Sequence, residues 1–320
     1  MPDAGEVPIA IFGTGALACA VGSRLARAGA HSVTLVGSWT EGLERVATRG
    51  IVVHDPGGTW SVRVQTSSLE EARGPMPLAL VLTKSLRTAQ VAERLARVLA
   101  PRGLAVTLQN GLGNRRRLEV ALGRARVAVG VAVLGATLVA PGEVRVVPGR
   151  IVLGEEPETA GRLAALAHRL RAAEIGVETT REVPRLVWRK LVANCAINPT
   201  SALAGVPNGA LLDDPALRGT LLAAAAEAGA VAAAKGISLG DDPMVLATQV
   251  AETTASNRSS MLQDLERGAL TEIDSMNGAI VSEGRRLGVP TPVNESLWRR
   301  VREREGRPVD EAPSHRTVSS

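Results

Sequence analysis

Short apolar runs alternate with amphipathic stretches along the first half of the chain, from Val7 to about Val183. The apolar runs predict strands at Ile9–Phe12, Ser32–Val36, Leu78–Thr83, Ala105–Gln109 and Val127–Ala132. The amphipathic stretches predict helices at Ala16–Ala28, Thr88–Leu99 and Arg115–Leu122. Strands separated by helices in this order predict a doubly wound parallel sheet with helices on both faces. Two further stretches, Glu143–Val147 and Arg150–Leu153, predict an extended strand pair at the end of the sheet.

The strand signal disappears after Val183, and the rest of the chain has a helical pattern. Predicted helices cover Arg185–Ile197, Pro215–Lys235, Asp242–Ala255 and Ser275–Leu287, and Trp298–Glu303 closes the last helix. We therefore predict an α/β domain over residues 1–182 and an all-helical domain over residues 183–305. Residues 306–320 are polar and contain two prolines, so we expect a disordered tail.

Composition and charge narrow the classes of partner. The formal net charge is +5, but the basic residues are dispersed among acidic ones, and aromatic residues make up 2% of the chain. This pattern argues against a nucleic-acid surface, which needs clustered cations and stacking rings, and suits a small ligand that carries phosphates and a carboxylate. The one basic cluster, Arg115–Arg117, is read as a solvated helix face.

The sequence predicts a cytoplasmic protein without a membrane segment, since it has no signal peptide and no run of about 18 apolar residues. Cys19 and Cys195 lie in apolar surroundings, which predicts buried free thiols. We expect no metal site, because the four histidines fall at no metal-binding spacing.

A glycine-rich turn follows the first predicted strand and leads directly into a helix. Gly13 permits the tight turn, Gly15 lets the backbone approach a pyrophosphate, and the small Ala18 lets helix and strand pack closely. Thr14 and Ala16 complete this segment at a helix N-terminus, which favours an anion. The turn predicts dinucleotide binding rather than a purely structural role.

The end of the second strand normally separates NAD from NADP, through an acidic or a basic residue. Here the segment Val36–Glu41 has neither in the expected place. Ser38 and Thr40 can hydrogen-bond a phosphate, and Arg24 or Arg45 can approach from a helix. These residues alone leave the choice of cofactor open.

Three polar groupings suggest chemistry in the second half of the chain. Lys190, Asn194 and Asn198 are spaced four apart and share one face of a helix that we expect Pro199 to end. A solvated polar stripe is the alternative, but the apolar neighbours favour an enclosed helix, where such groups are costly without a function.

The other two groupings lie at turns. Asn110 follows a parallel strand, where ligands bind in doubly wound sheets; the alternative is an ordinary Asn-Gly turn. The segments Asn257–Asp264 and Thr271–Gly278 are rich in polar residues, and helix capping is the alternative there.

Seven motifs form an ordered set from Ile9 to about Arg302. They are Gly13-x-Gly15-x-x-Ala18, Thr83-Lys84, Gln109-Asn110-Gly111-Leu112-Gly113, Trp188-x-Lys190-Leu191-x-x-Asn194-x-x-x-Asn198-Pro199, Pro207-Asn208-Gly209, Ser259-Ser260-Met261-Leu262-Gln263-Asp264 and Thr271-Glu272-Ile273-Asp274. This set resembles the ketopantoate reductase family. The resemblance implies an NAD(P)-binding Rossmann domain over residues 1–182 and a helical domain over 183–305 like the C-terminal domain of 6-phosphogluconate dehydrogenase.

The resemblance also implies site residues. Lys190 would be the general acid that protonates the C2 oxygen of a 2-keto acid, and Glu272 its partner. Substrate would be held by Asn110, Asn194, Asn198, Asn208, Asn257 and Ser260, the last two at its carboxylate. Cofactor contacts would come from Gly13, Thr14, Gly15, Ala16, Ala18, Ser38, Lys84, Asn110 and Glu272.

The implied activity is reduction of 2-ketopantoate to pantoate in pantothenate and coenzyme A synthesis. The family favours NADPH over NADH, and a homodimer is a family-level expectation. Many members carry an arginine after the second strand for the 2′-phosphate, whereas Gly37 occupies that region here. The alternatives are a reductase of another small 2-keto acid and a dinucleotide sensor without turnover.

Overall fold

A computed structural model describes residues 8–29 and 32–309 of the chain. These residues form two compact units. The first comprises the chain up to Gln109 together with residues 114–183, and the second comprises Asn110–Gly113 and the chain from Pro184 onward. The sequence assigns residues 110–113 to the first domain, whereas in the structure they pack with the helical unit.

The first unit is an α/β domain. Its strands are β1 (Ile9–Phe12), β2 (Val33–Gly37), β3 (Ile51–Asp55), β4 (Gly58–Val62), β5 (Gln65–Ser68), β6 (Met76–Val81), β7 (Leu99–Thr107), β8 (Val127–Ala140), β9 (Glu143–Gly154) and β10 (Gly176–Thr180). Its helices are α1 (Ala16–Arg27), α2 (Thr40–Arg49), α3 (Thr88–Val98), α4 (Asn114–Leu122) and α5 (Ala160–Ala172). In the described residues the sheet has the order β4-β3-β9-β8-β7-β6-β1-β2-β5, and β10 pairs with β9.

The parallel part of this sheet confirms the predicted Rossmann-type architecture. Strands β5, β2, β1, β6, β7 and β8 are neighbours in that order, and each adjacent pair is parallel. If these six strands alone are numbered by their order in the chain, their order across the sheet is 3-2-1-4-5-6, the arrangement of dinucleotide-binding folds. The third of these six strands in the chain is β5, which has the polar sequence Gln-Thr-Ser-Ser and lies at the sheet edge. It was not predicted, because it contains no apolar run.

The predicted strand pair after Ala140 is wrong, because Glu143–Gly154 is one strand. It runs antiparallel to β8, and the register shifts between Val133 and Gly135, opposite the Pro148-Gly149 step that separates the two predicted stretches. A Cβ atom on Gly149 would lie 2.1 Å from the Val133 carbonyl oxygen. The glycine therefore allows the two backbones to approach closely, and the irregular register accommodates the proline without a turn.

The second unit is helical, as predicted. Its helices are α6 (Val183–Ala204), α7 (Ala210–Asp213), α8 (Pro215–Ala234), α9 (Pro243–Thr253), α10 (Ser260–Glu266), α11 (Asn277–Leu287) and α12 (Pro292–Arg304). Apolar residues of α6, α8, α11 and α12 form its core, with Trp298 fully buried. The last helix, Pro292–Arg304, ends within one residue of the predicted closing segment Trp298–Glu303.

The expectation that Pro199 ends a helix is also wrong, since α6 continues through it to Ala204. Proline lacks the N–H that would bond the carbonyl four residues earlier, on Cys195. The side-chain amide of Asn277 donates to that carbonyl instead, at 2.9 Å. The freed acceptor is thus satisfied from a neighbouring helix, and the turn can continue.

Helix α8 is, among the described residues, the one helix with the length and apolar composition of a membrane span. Its residues Leu221, Ala225 and Ala228 are buried in the core of the helical unit. Glu227 interrupts the apolar run, and its carboxylate accepts hydrogen bonds from the backbone N–H groups of Val293 and Asn294 at 2.8 and 2.9 Å. In this structure α8 is a core helix.

The predicted disordered tail begins at residue 306, yet the structure places residues 306–309 against the helical unit. Arg307 is ion-paired with Asp274 at 2.5 Å and with Glu305 at 2.9 Å, and Arg302 Nε donates to the Pro308 carbonyl at 2.8 Å. Ion pairing therefore orders the start of the tail, which is a correction to the sequence prediction. The rest of the predicted tail, residues 310–320, lies outside the described residues.

Candidate functional site

The glycine turn after β1 requires glycine at its first position. Gly13 has a φ of +143°, and a Cβ atom there would lie 2.9 Å from both the carbonyl carbon and the oxygen of Leu82. Its N–H donates to the Val36 carbonyl at 2.8 Å. The turn is thereby fixed at the carboxyl ends of β1, β2 and β6.

The start of α1 is open to an anion. Gly15 is the N-cap residue, and no described residue beyond its chain neighbours lies within 4 Å of the position where its Cβ would be. Among the residues that the structure describes, no side chain caps the helix, and its first turn contains no acidic residue. The free N–H groups and the positive end of the helix dipole therefore fit a pyrophosphate. Ala18 is fully buried, as close packing of helix and strand requires.

The packing at the end of β2 explains why position 37 carries a glycine rather than an arginine. A Cβ atom on Gly37 would lie 2.8 Å from Thr14 Cγ2, so any side chain at position 37 would displace Thr14. Ser38, the next residue, is exposed. Arg24, one of the arginines considered for a 2′-phosphate, is instead paired with Asp55 at 3.1 Å.

Lys84 follows β6, which pairs with β1, and Gln109 follows β7, which pairs with β6. These strands are parallel, so both residues lie at the same carboxyl edge of the sheet as Gly13. Gln109 Nε2 donates to the Thr83 carbonyl at 2.9 Å and to Thr88 Oγ1 at 2.8 Å. These bonds join the ends of the two strands. The half-buried Lys84 therefore follows a rigid segment at the edge where Gly13 lies.

Asn110 begins the short segment that packs with the helical unit. Leu112 N–H donates to the Ser275 carbonyl at 2.8 Å, and a Cβ on Gly111, which has a φ of +81°, would lie 2.4 Å from the same oxygen. Asn110 Nδ2 donates to Glu272 Oε2 at 3.2 Å. The structure thus brings together two of the predicted site residues, Asn110 and Glu272.

Lys190 of α6 is half-buried in the described structure. Burial lowers the pKa of its ammonium to about 8, and the negative charge of Glu272 acts in the opposite direction. The predicted catalytic pair therefore interacts electrostatically. A lysine with this pKa is still mostly protonated at neutral pH and releases its proton more readily than an exposed lysine.

The two asparagines of α6 follow Lys190 on the same helix face. Asn194 is half-buried and Asn198 is buried. Asn198 Nδ2 lies 3.9 Å from Met276 Sδ, and its carbonyl accepts a hydrogen bond from Ser259 Oγ at 3.4 Å. The enclosed helix predicted from the sequence is confirmed for this part of α6.

The structure joins Asn208 to Asn257 but leaves the proposed carboxylate site exposed. Asn208 N–H donates to the Asn257 carbonyl at 3.0 Å, and its Nδ2 donates to Thr254 Oγ1 at 2.9 Å. Its Oδ1 is buried and has no hydrogen-bond partner among the described residues. The side chains of Asn257 and Ser260 are exposed, and their roles stay predictions.

Ser259 is a structural residue that the sequence reading treated only as part of a motif. It is buried and caps α10, accepting from Leu262 N–H at 3.1 Å. Its Oγ also accepts from Ser201 Oγ at 2.8 Å. The alternative of helix capping therefore holds for Ser259.

Asp274 and Asn277 were missed as residues that organise the site. Asp274 belongs to a motif that the sequence displays, but its partners come from the end of α12. A signal for Asn277 exists in the sequence: a proline inside a long helix leaves one carbonyl that needs an outside donor. Nothing in the local pattern says which side chain supplies it.

Cys19 and Cys195 are buried free thiols, which confirms the prediction. Burial raises the pKa of the Cys19 thiol to about 12 and raises that of Cys195 as well. Neither thiol is therefore a nucleophile at neutral pH. Among residues 8–29 and 32–309, no group of three or more His, Cys, Asp or Glu side chains is arranged to hold a metal ion.

Comparison with known proteins gives matches over both units. Residues 9–158 match the family model described as "Ketopantoate reductase PanE/ApbA", and residues 182–305 match its C-terminal counterpart. A 2-dehydropantoate 2-reductase from Halobacterium salinarum is 36% identical over 297 residues, which are 92% of this chain and 97% of the relative.

Solved structures give the same picture. A PanE/ApbA family ketopantoate reductase from Ralstonia eutropha JMP134 has a TM-score of 0.85 and 34% identity, covering 93% of this chain and 98% of that one. D-mandelate dehydrogenase, solved with NADH and anilino(oxo)acetate, has a TM-score of 0.86 at 23% identity, covering 93% and 98%. The second likeness is one of fold alone.

Proposed function

This chain belongs to the ketopantoate reductase family, and from that premise we propose that it uses a reduced nicotinamide dinucleotide to reduce 2-dehydropantoate to pantoate. The observation that carries the proposal is the half-buried Lys190, with a pKa near 8, under the influence of the Glu272 carboxylate. The proposal includes cytoplasmic residence, a role in pantothenate synthesis and a homodimeric assembly.

Lys190 is the proposed proton donor. Reduction of a 2-keto acid turns its C2 carbonyl oxygen into an alkoxide-like centre, which the ammonium stabilises and then protonates. The proton passes from Nζ to that oxygen and leaves a neutral amine, which a proton from solvent restores. Burial supports this role because it makes the charged form of the lysine less stable.

Glu272 and Asn110 form the proposed support for this lysine. The Glu272 carboxylate favours the ammonium form by attraction, and Asn110 restrains that carboxylate by its hydrogen bond. Asn110 and Glu272 also belong to the proposed cofactor-contacting set. We assign substrate binding to Asn110, Asn194, Asn198, Asn208, Asn257 and Ser260.

The first unit is the proposed dinucleotide site. Gly13, Thr14, Gly15, Ala16 and Ala18 would hold the pyrophosphate at the open start of α1. When bound, the reduced nicotinamide supplies a hydride to the C2 carbon. Ser38 and Lys84 would contact the same ligand, and the proposed cofactor is NADPH, with hydroxyl groups rather than an arginine at the end of β2.

The test is a spectrophotometric assay of NADPH and NADH oxidation with the purified chain and a panel of 2-keto acids. We expect the highest kcat/KM with 2-dehydropantoate. A higher value with another 2-keto acid would establish the alternative reductase. Dinucleotide binding without oxidation of either cofactor by any acid would establish the sensor and refute the proposed reaction.

A further inference from the structure

The segment that carries Glu272 is hydrogen-bonded, on both sides of that residue, to α12 and the residues that follow it. On one side, Thr271 N–H donates to Glu305 Oε1 at 2.6 Å. On the other side, the Asp274 carboxylate is bonded by residues of α12 and of the chain just beyond it. Glu272 therefore lies between two attachment points that the C-terminal segment provides.

The Asp274 carboxylate has three donors, all from that C-terminal segment. Trp298 Nε1 and Arg302 donate to Oδ1 at 2.7 and 2.9 Å, and Arg307 donates to Oδ2 at 2.5 Å. Burial alone would raise the pKa of Asp274, but bonds from Arg307, Trp298 and Arg302 outweigh it and hold the pKa below its ordinary value. Asp274 is therefore an anion that binds these donors at neutral pH.

Arg307 hydrogen-bonds to the carboxylates of both Asp274 and Glu305. Besides Asp274, it donates to Glu305 Oε2 at 2.9 Å, and the Glu305 side chain is 1% exposed. Exposed ion pairs contribute little individually, but a buried carboxylate with several charge-assisted bonds is held more firmly. One guanidinium thus links the two attachment points that flank Glu272.

We propose that Asp274, together with Trp298, Arg302 and Arg307, positions Glu272 so that its carboxylate stays close enough to act on the Lys190 ammonium. This inference rests on the proposed function, because it gives the C-terminal segment a role in the reduction. Asp274 is a positioning residue, since it acts through Glu272. The residue after it, Ser275, donates from Oγ to the Glu272 carbonyl at 3.0 Å and so ties the two positions together.

A consequence follows for the proton on Lys190. The Glu272 carboxylate acts on its ammonium and is also bonded to the neutral Asn110. If the hydrogen bonds to the Asp274 carboxylate are lost, the Glu272 carboxylate spends less time near Lys190 and attracts the ammonium less. The pKa of Lys190 then falls further, because burial is less opposed.

The test compares Asp274→Asn and Arg307→Lys with a control, Glu295→Gln. Glu295 lies on α12 and pairs with Arg285 and Arg299 rather than with a residue of the Glu272 segment. The chain has three lysines, Lys84, Lys190 and Lys235, so an NMR titration with 13C-labelled lysine resolves each one, with Lys→Arg variants to assign the signals. This titration uses the protein without cofactor.

We expect Asp274→Asn to lower the midpoint of Lys190 by about half a unit and kcat/KM by ~10-fold, within the usual range for altered charge partners. Arg307→Lys should lower both by less, and Glu295→Gln should change neither. An unchanged midpoint and kcat/KM in folded Asp274→Asn would overturn the inference. If that variant does not fold, an unchanged midpoint in Arg307→Lys overturns it.

Failure of the proposed function gives a different result. Wild-type protein that oxidises no dinucleotide with any 2-keto acid would refute the reductase, and the lysine titration would still decide whether Asp274 positions Glu272. An active wild type with unmoved midpoints would refute the positioning role and leave the reductase in place.

Discussion

The side-chain amide of Asn277 donates to the backbone carbonyl of Cys195, the carbonyl that Pro199 deprives of its helical donor. The same Nδ2 also donates to Asn294 Oδ1 at 3.0 Å, while Oδ1 of Asn277 is buried without a hydrogen-bond partner among the described residues. Asn277 thus satisfies two acceptors at the cost of one unbonded oxygen. This arrangement supports α6, the helix that carries Lys190.

Loss of Asn277 should therefore destabilise the fold in a way that depends on Pro199. We expect Asn277→Ala to lower the free energy of unfolding by ~1–3 kcal/mol, because buried acceptors lose their donor. In a Pro199→Ala background, the new N–H can bond the Cys195 carbonyl, so the same substitution should cost less. Urea unfolding of the four proteins in this double-mutant cycle measures the coupling. Equal costs in the two backgrounds would contradict the explanation.

The pKa of Lys190 predicts the pH dependence of the reduction. The acid must carry its proton, and burial places the pKa at about 8. We expect kcat/KM to be level below that value and to fall about tenfold per pH unit above it, as for loss of one essential proton. A profile measured with saturating dinucleotide checks this, and a level profile through pH 10 would exclude a group with this pKa as the acid.

Replacing Glu272 by Gln tests the charge on the partner. The amide keeps the shape but loses the attraction that raises the pKa of Lys190. We expect the alkaline limb of kcat/KM to move to lower pH and the substrate KM to rise. Glu295→Gln, which removes a charge that pairs with Arg285 and Arg299, serves as a comparison for the general effect of losing a carboxylate. A limb that stays in place would mean that Glu272 does not act on the ammonium.

Cofactor preference should respond to the residue after Gly37. Ser38 is exposed at the end of β2, so an arginine there can reach a 2′-phosphate, whereas an arginine at position 37 would collide with Thr14. We expect Ser38→Arg to lower the KM for NADPH by ~10-fold, the effect of one charge-assisted bond, and to leave that for NADH nearly unchanged. Ser38→Gln, of similar length without the charge, should not give this gain for NADPH; equal gains for both cofactors would contradict the assignment.

The sequence predicted those helices and strands that bury apolar side chains in a regular pattern. The strand Ile9–Phe12 has the predicted bounds because it is fully buried and ends at a glycine turn. The polar edge strand Gln65–Ser68 gave no such signal, since its pairing with β2 depends on backbone bonds rather than on apolar side chains. Pro199 was misleading because a tertiary contact, the bond from the Asn277 side chain to the Cys195 carbonyl, compensates for its missing N–H. The single strand Glu143–Gly154 was divided in the prediction because an irregular register lets it continue through Pro148.

The residues of the candidate site were predictable from the sequence, but the residues that hydrogen-bond to its segments and hold them in place were not. Lys190, Asn194 and Asn198 share a helix face because of their spacing, and Glu272 was found through the family motif. The partners of Asp274 and the donor for the Cys195 carbonyl come from distant parts of the chain. Local patterns carry no information on such pairings, which only the packing of the helices creates.

The central claim is that the Lys190 ammonium delivers the proton in the reduction. Its most direct test is the single-turnover rate of Lys190→Ala with 2-dehydropantoate, alongside the Kd of the dinucleotide and a matched Lys235→Ala control. The account predicts a rate lower by ~10² or more, the usual contribution of one general acid, with an unchanged Kd and a normal rate for the control. A Lys190→Ala protein that reduces the substrate at the wild-type rate would contradict it.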